Sequence, residues 1–193
     1  MNQLKVAITG GIGSGKTYVC RLLEKRGVRV YDCDEAAKRL MQTSEELRCK
    51  LKKLVGNGVY INKVLQKPVL AKFLLASEQN KQAVNDIVHP AVANDFEISG
   101  DGWLESAILF ESGFYRRTHL DYVVCVTAPL EIRIMRVMTR DGISRAHALT
   151  WIDSQMAQEE ILKRSDFEIV NDGNNNMNIQ IDNILEQLTH KNH

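Results

Sequence analysis

Gly10-Gly11-Ile12-Gly13-Ser14-Gly15-Lys16-Thr17 carries the pattern GxxxxGK[ST], and the chemistry open to that spacing is the grip of a polyphosphate. Glycines let consecutive backbone N–H groups turn toward one anion, and a helix N-terminus adds roughly half a positive charge. Lys16 can then reach the β and γ phosphates, and the Thr17 hydroxyl can ligate Mg²⁺. A glycine-rich turn without a ligand would match the same letters. The context argues against it, because an apolar run, Lys5–Thr9, precedes the glycines and Val19, Leu22 and Leu23 follow at helical spacing. Nucleoside triphosphate binding is therefore the strongest expectation, with Gly11, Ile12, Gly13, Ser14, Gly15, Lys16 and Thr17 as the contact residues.

A second constellation is Val30-Tyr31-Asp32-Cys33-Asp34-Glu35, where acids gather as an apolar strand stops. Phosphoryl transfer needs an acceptor aligned with the γ phosphate and charge neutralised around it, and a carboxylate beside the acceptor hydroxyl can orient it and take its proton late. Asp32 and Asp34 both qualify, and a short distance to the γ phosphate is expected of them. Either could instead cap the helix that starts near Glu35, and one acid could do each job. If the extended conformation continues, Cys33 points into the core as a small apolar group. An Asp-Cys-Asp zinc site lacks further ligands nearby. A switch GTPase is not expected, since Asn62-Lys63-Val64-Leu65 has leucine where NKxD needs its acid and no aspartate has glycine three residues later.

Strands alternate with helices along the chain. The runs 5–9, 28–31, 103–110, 122–127 and 167–170 read as five strands, which predicts an α/β fold with a parallel sheet covered on both faces. Gly27 fits the residue that ends the first helix. Residues from Asp34 to about Ser99 read as helices over 35–41, 45–55, 67–76 and 78–88, with breaks at Gly56-Asn57-Gly58 and His89-Pro90 and a turn of extended chain at 59–61. That stretch is a candidate inserted helical subdomain. Pro129 opens a helix to about Thr139, Ser144 caps another through about Arg164, and a polar loop, Asn171–Asn176, precedes a terminal helix over 177–188. Ligands of such sheets bind beyond the carboxyl ends of the strands, which points to Gly10–Thr17, Asp32, Asp34 and Glu111.

The whole chain restricts the rest. Its 193 residues suit one principal domain, and 25 Lys+Arg against 24 Asp+Glu leave a net charge of +1. No global field for nucleic acid or a membrane surface follows. The four cysteines, Cys20, Cys33, Cys49 and Cys125, show no CxxC or zinc-like spacing, as expected of thiols in a reducing compartment. The N-terminal residues lack a signal-peptide core and no run approaches the ~20 apolar residues of a membrane-spanning helix, so a cytoplasmic location is expected.

With these residues named, the sequence resembles the dephospho-CoA kinase family, from about Val6 to Gly173. Its opening TGGIGSGK[ST] stands unbroken at Thr9–Thr17, its D-A-D matches Asp32-Cys33-Asp34, its His-Pro matches His89-Pro90, and its P-L-L-F-E matches Ala107–Glu111. R-x-x-x-R-D-G-x-S is matched by Arg136, Arg140, Asp141, Gly142 and Ser144, a following Q by Gln155, and the closing A-D-x-x-I-x-N by Ser165–Asn171. The resemblance implies a P-loop kinase fold with a core (about 1–33, 99–138 and 166–193), a helical acceptor-binding subdomain (about 34–98) and a helical lid (about 139–165). It implies ATP and Mg²⁺ as cofactors and transfer to the ribose 3′-hydroxyl of 3′-dephospho-CoA, by a monomer or weak homo-oligomer.

The family's base corresponds to Asp34, with Asp32 supporting Mg²⁺ or the acceptor. Glu111 would hold a metal-bound water or the acceptor ribose, or be a solvated strand-end acid. Arg140 would offer a planar fork to the transferring phosphoryl group, Arg136 would share the phosphate tail, or both would complement a helix end. His89 would shape the acceptor pocket, nothing nearby in sequence tuning its pKa. Four positions depart from the family: Ala107 for a proline, Glu105 where many relatives have aspartate, Gln158 for an arginine, and Ala71 for a frequent acceptor-side arginine, with Lys67 and Lys72 nearby. Competing readings are another nucleotide or small-molecule kinase of this fold and a non-catalytic ATP-binding sensor.

Overall fold

A computed structural model describes residues 4–190, so residues 1–3 and 191–193, which the expected core included, lie outside the described residues. The elements in order are β1 (Val6–Thr9), α1 (Lys16–Glu24), β2 (Val30–Asp32), α2 (Cys33–Thr43), α3 (Glu45–Val55), β3 (Tyr60–Ile61), β4 (Val64–Leu65), α4 (Lys67–Ala76), α5 (Glu78–Ser99) and β5 (Trp103–Glu105). They continue with β6 (Tyr122–Thr127), α6 (Leu130–Asp141), α7 (Arg145–Asp153), α8 (Gln158–Lys163), β7 (Phe167–Val170) and α9 (Met177–His190). The chain divides into two compact units: one takes residues up to Tyr31, Asp101–Glu111 and everything from His119, and the other takes Asp32–Gly100 and Ser112–Thr118.

The first unit is an α/β layer structure. Its five-stranded sheet has the order β2-β5-β1-β6-β7. β1 runs parallel to both neighbours, with Ile8 opposite Glu105 on one side and Val124 on the other, and β6 runs parallel to β7 with Thr127 opposite Val170. Every residue of β1 is buried, as a central strand covered on both faces requires. One face packs on α1 and α9, where Val19, Leu23, Ile181, Ile184 and Leu188 meet Ile8, Val124 and Ile169. Burying a large aliphatic side chain of this kind contributes about 1.5–3 kcal/mol. A second cluster joins α6 to α7 through Ile134, Val137, Ala148 and Ile152, with the Ile12 side chain packed against it.

The second unit is helical, with α5 packed on α2, α3 and α4 and a β3–β4 hairpin that pairs Tyr60 with Leu65. The extended stretch expected at 59–61 is thus the first strand of that hairpin. Tyr60 donates its hydroxyl to the Met41 carbonyl (2.7 Å), and buried Arg48 donates to the Gln42 carbonyl (3.2 Å), so two orphan acceptors near the α2 C-terminus are satisfied.

Three expectations are corrected. The apolar run 103–110 forms strand only to Glu105, because Ser106 onward leaves the sheet in turns after Ser106 N–H bonds to the Ile8 carbonyl (3.0 Å). The helix does not break at His89-Pro90; α5 continues to Ser99 with Pro90 inside it, and Val92, Ala93 and Phe96 beyond the proline are buried. Tertiary burial outweighs the roughly 3 kcal/mol a proline costs a helix interior. The helix expected from Ser144 to Arg164 is two, α7 and α8, separated at Ser154–Ala157.

Candidate active site

The phosphate loop joins β1 to α1 as the motif requires. Gly10 at φ +141 places a hypothetical Cβ 2.2 Å from the Val126 carbonyl oxygen, and Gly15, the N-cap of α1 at φ +96, places one 2.1 Å from Asn171 Nδ2. Only glycine fits either place. Lys16 is buried (8% exposed) at the first helical position. Its Nζ donates to the Gly10 carbonyl (2.8 Å) and lies 4.0 Å from Glu105 Oε1. Thr17 follows in the first turn of α1 and is exposed.

The loop's carbonyls are held by side chains from distant parts of the unit. Arg133 Nε donates to the Ile12 carbonyl (3.0 Å). Arg136 Nη1 donates to the carbonyls of Gly13 (3.3 Å) and Ser14 (3.2 Å), while Nη2 holds Asn171 through its carbonyl and its Oδ1, both at 3.1 Å. Asn171 Nδ2 completes the set on the Ser14 carbonyl (2.8 Å). Drawing these carbonyls onto guanidinium and amide donors keeps their partial negative charge off the face that would meet an anion, which is an electrostatic requirement of a phosphate cradle.

Burial pulls the Arg133 guanidinium below its ordinary pKa, countered by the nearby acids Glu159 and Asp153; it stays charged, as arginine does in proteins. Cys125, buried in the adjoining β6, is pushed up to about 12 by burial and then by Glu168, so its thiol is neutral.

Of the two arginines singled out from the sequence, Arg136 is therefore built into the back of the loop. Arg140 lies at the exposed end of α6, where its fork takes both carboxylate oxygens of Asp141 at 3.1 and 2.7 Å. That hydrogen bond raises the Arg140 pKa and lowers that of Asp141. Glu111 Oε1 accepts the Met156 N–H (3.1 Å), and Gln155 Oε1 accepts the Ile12 N–H (2.6 Å). Gln158, the departure from arginine, caps the Ala128 N–H at the end of β6 (3.0 Å).

In the helical unit Asp32 is the N-cap of α2, its Oδ1 accepting the Glu35 N–H at 2.8 Å. The helix starts at Cys33, two residues earlier than the sequence suggested, so Cys33 is buried by a helical first turn rather than by extended chain. Asp34 lies in that turn, exposed, on the carboxylate-favouring end of the helix. His89 stands edge-on to the Phe114 ring at 5.6 Å. Burial and then the Arg117 charge push its pKa down, with Asp86 opposing. The residues beside His89 in sequence suggested neither its burial nor the approach of Arg117, which is bound to Asp86 at 2.5 Å.

Sequence reading passed over Arg133 and used Asn171, Gln155 and Glu105 only as family matches or departures. Asn171 and Arg133 reach the loop across sequence separations of 157 and 121. The available signal was a polar or charged residue just after a buried strand or on the apolar stripe of a helix, and Arg133 sits beside Ile134 and Val137 on that buried stripe.

Known proteins share both the sequence pattern and the fold. A family model, dephospho-CoA kinase, matches residues 4–177. A Bacteroides fragilis dephospho-CoA kinase is 41% identical over 200 residues, covering 98% of this chain and 95% of the relative. A solved structure from Thermus thermophilus superposes with a TM-score of 0.79 at 32% identity, covering 97% of this chain and 99% of that one. A Campylobacter jejuni dephospho-CoA kinase at 22% identity shares the fold, with a TM-score of 0.65 and 98% of each chain covered. A loop that fits its glycines to the atom, a matching sheet and near full-length similarity converge on one conclusion: the chain belongs to the dephospho-CoA kinase family.

Proposed function

We propose that the chain transfers the γ-phosphoryl group of ATP to the ribose 3′-hydroxyl of 3′-dephospho-CoA, giving CoA and ADP. The observation that carries this reading is the braced phosphate loop at the end of the central strand, in a chain of this family. The acceptor 3′-oxygen forms a bond to the γ phosphorus as the bond from that phosphorus to the β–γ bridging oxygen breaks, and the hydroxyl proton passes to a carboxylate. Asp34 is assigned that carboxylate by its match to the second acid of the family's D-A-D motif, while Asp32 caps α2. Lys16 leaves the Gly10 carbonyl for the phosphate oxygens, and the Arg140 fork exchanges Asp141 for the charge developing on the transferring group.

Mg²⁺ fits the oxygen donors present. The Thr17 hydroxyl and the Glu105 carboxylate are hard ligands, and among the described residues no three His, Cys, Asp or Glu side chains converge on a metal cage. An ion held by one or two protein oxygens plus phosphates and water suits that arrangement. When bound, it would neutralise charge on the β and γ oxygens. Residues 34–98 are assigned to the acceptor, with Asp34, His89 and Glu111 as its contacts, and residues 139–165 to the lid. The enzyme acts in the cytoplasm as a monomer or weak homo-oligomer on a small molecule. No helix among the described residues is long and apolar enough to cross a membrane.

The test is ADP formation with ATP and dephospho-CoA, compared with nucleoside monophosphates and gluconate as acceptors. Turnover with dephospho-CoA at least tenfold above the others is expected; robust turnover on another acceptor alone would overturn the assignment.

A further inference from the structure

Ile12 sits between Gly11 and Gly13, the latter at φ +79, so backbone sterics do little to fix the orientation of the Ile12 peptide groups. Three attachments fix them instead. The Ile12 N–H is taken by Gln155 Oε1 (2.6 Å), its carbonyl by Arg133 Nε (3.0 Å), and its side chain packs on the α6–α7 cluster of Ile134, Val137, Ala148 and Ile152. Gln155 is itself placed on both sides, its N–H on the Ile152 carbonyl (3.2 Å) and the next residue's N–H on Glu111 Oε1 (3.1 Å).

We infer that Gln155, opposite Arg133, is a positioning residue that clamps the Ile12 peptide groups and so couples the Ser154–Ala157 turn to the geometry of the phosphate loop. The inference deepens the phosphoryl-transfer reading and rests on it. A peptide flanked by glycines can rotate at little steric cost, and a rotated Ile12 carbonyl would present a partial negative charge to the polyphosphate. Gln155 and Arg133 hold the group with its carbonyl on a buried cation and its N–H on a neutral acceptor, so the Ile12 carbonyl is kept from turning toward the anion. The side-chain packing makes the same residue part of the α6–α7 core. Movement of α7 and its following turn is thereby transmitted to the loop.

The test is Gln155→Met, which keeps the length and removes the acceptor. ADP affinity is expected to fall about tenfold, the worth of one well-placed hydrogen bond and the order it maintains. AMP, which lacks the β phosphate, should change less than twofold, kcat with dephospho-CoA should fall at least as much as ADP affinity, and the thermal midpoint should stay within about 2 °C. Equal losses for ADP and AMP with a lowered midpoint would assign Gln155 a merely structural role and overturn the inference, as would unchanged ADP affinity. The ADP and AMP titrations need no acceptor. Failure of the unmodified chain to phosphorylate dephospho-CoA would therefore count against the proposed reaction, while the nucleotide titrations still decide the clamp.

Discussion

Asp32 and Asp34 lie in one short stretch, and geometry separates their duties. Asp32 spends its carboxylate oxygen on the Glu35 N–H, a cap worth about 1 kcal/mol. Asparagine caps as well as aspartate, so Asp32→Asn should leave the melting temperature unchanged and any loss of turnover would report on charge alone. Asp34→Asn should lower kcat by roughly 10²–10⁴ with ATP affinity nearly kept, measured by steady-state kinetics and nucleotide titration. A smaller effect at Asp34 than at Asp32 would reverse the assignment.

His89 offers a separate test. Its folded pKa lies below the ordinary value of 6.5, so the unfolded chain binds more protons as pH falls through that value, and stability must drop as pH falls from 6.5 toward the folded pKa. Denaturation midpoints followed from pH 7.5 to 5 should show this slope, and His89→Gln should flatten it.

Among the elements, α5 departs most from what its sequence suggested. Pro90 carries no N–H for the Asp86 carbonyl, yet the helix runs on because Val92, Ala93 and Phe96 need the packed face it provides. Pro90→Ala should raise the unfolding free energy by about 1–3 kcal/mol in chemical denaturation, since it restores one helical hydrogen bond at an exposed position. The same competition explains what could be read beforehand. β1, β6, α1 and the phosphate loop follow from local patterns, because periodicity and glycine spacing are properties of neighbouring residues. The early end of β5, the passage of α5 through a proline and the division of α7 from α8 depend on which faces find partners far along the chain. The carbonyl braces Arg133 and Asn171 were hidden for that reason, whereas the loop they brace was plain.

For the whole molecule, the phosphate loop belongs to the unit that contains the sheet. A nucleotide bound there should stabilise the folded chain. ADP at a hundred times its Kd adds about 2.7 kcal/mol to any state that binds it alone. Calorimetry should show unfolding moving upward in temperature with ADP, and Lys16→Ala should remove most of the movement. An ADP shift fully retained in Lys16→Ala would place nucleotide binding elsewhere.

The resting position of Lys16 has one more consequence. Its ammonium donates to the Gly10 carbonyl, with Glu105 4.0 Å away, so an anion that recruits Lys16 must compete with a carbonyl and a nearby carboxylate. Chloride, acetate or a lone orthophosphate would have to displace a neutral oxygen and approach a carboxylate, with only one centre of charge to do it. A polyphosphate arrives with several, and can occupy the amides while it draws the ammonium across. A polyphosphate is therefore expected to draw Lys16 off the Gly10 carbonyl more readily than a single small anion does.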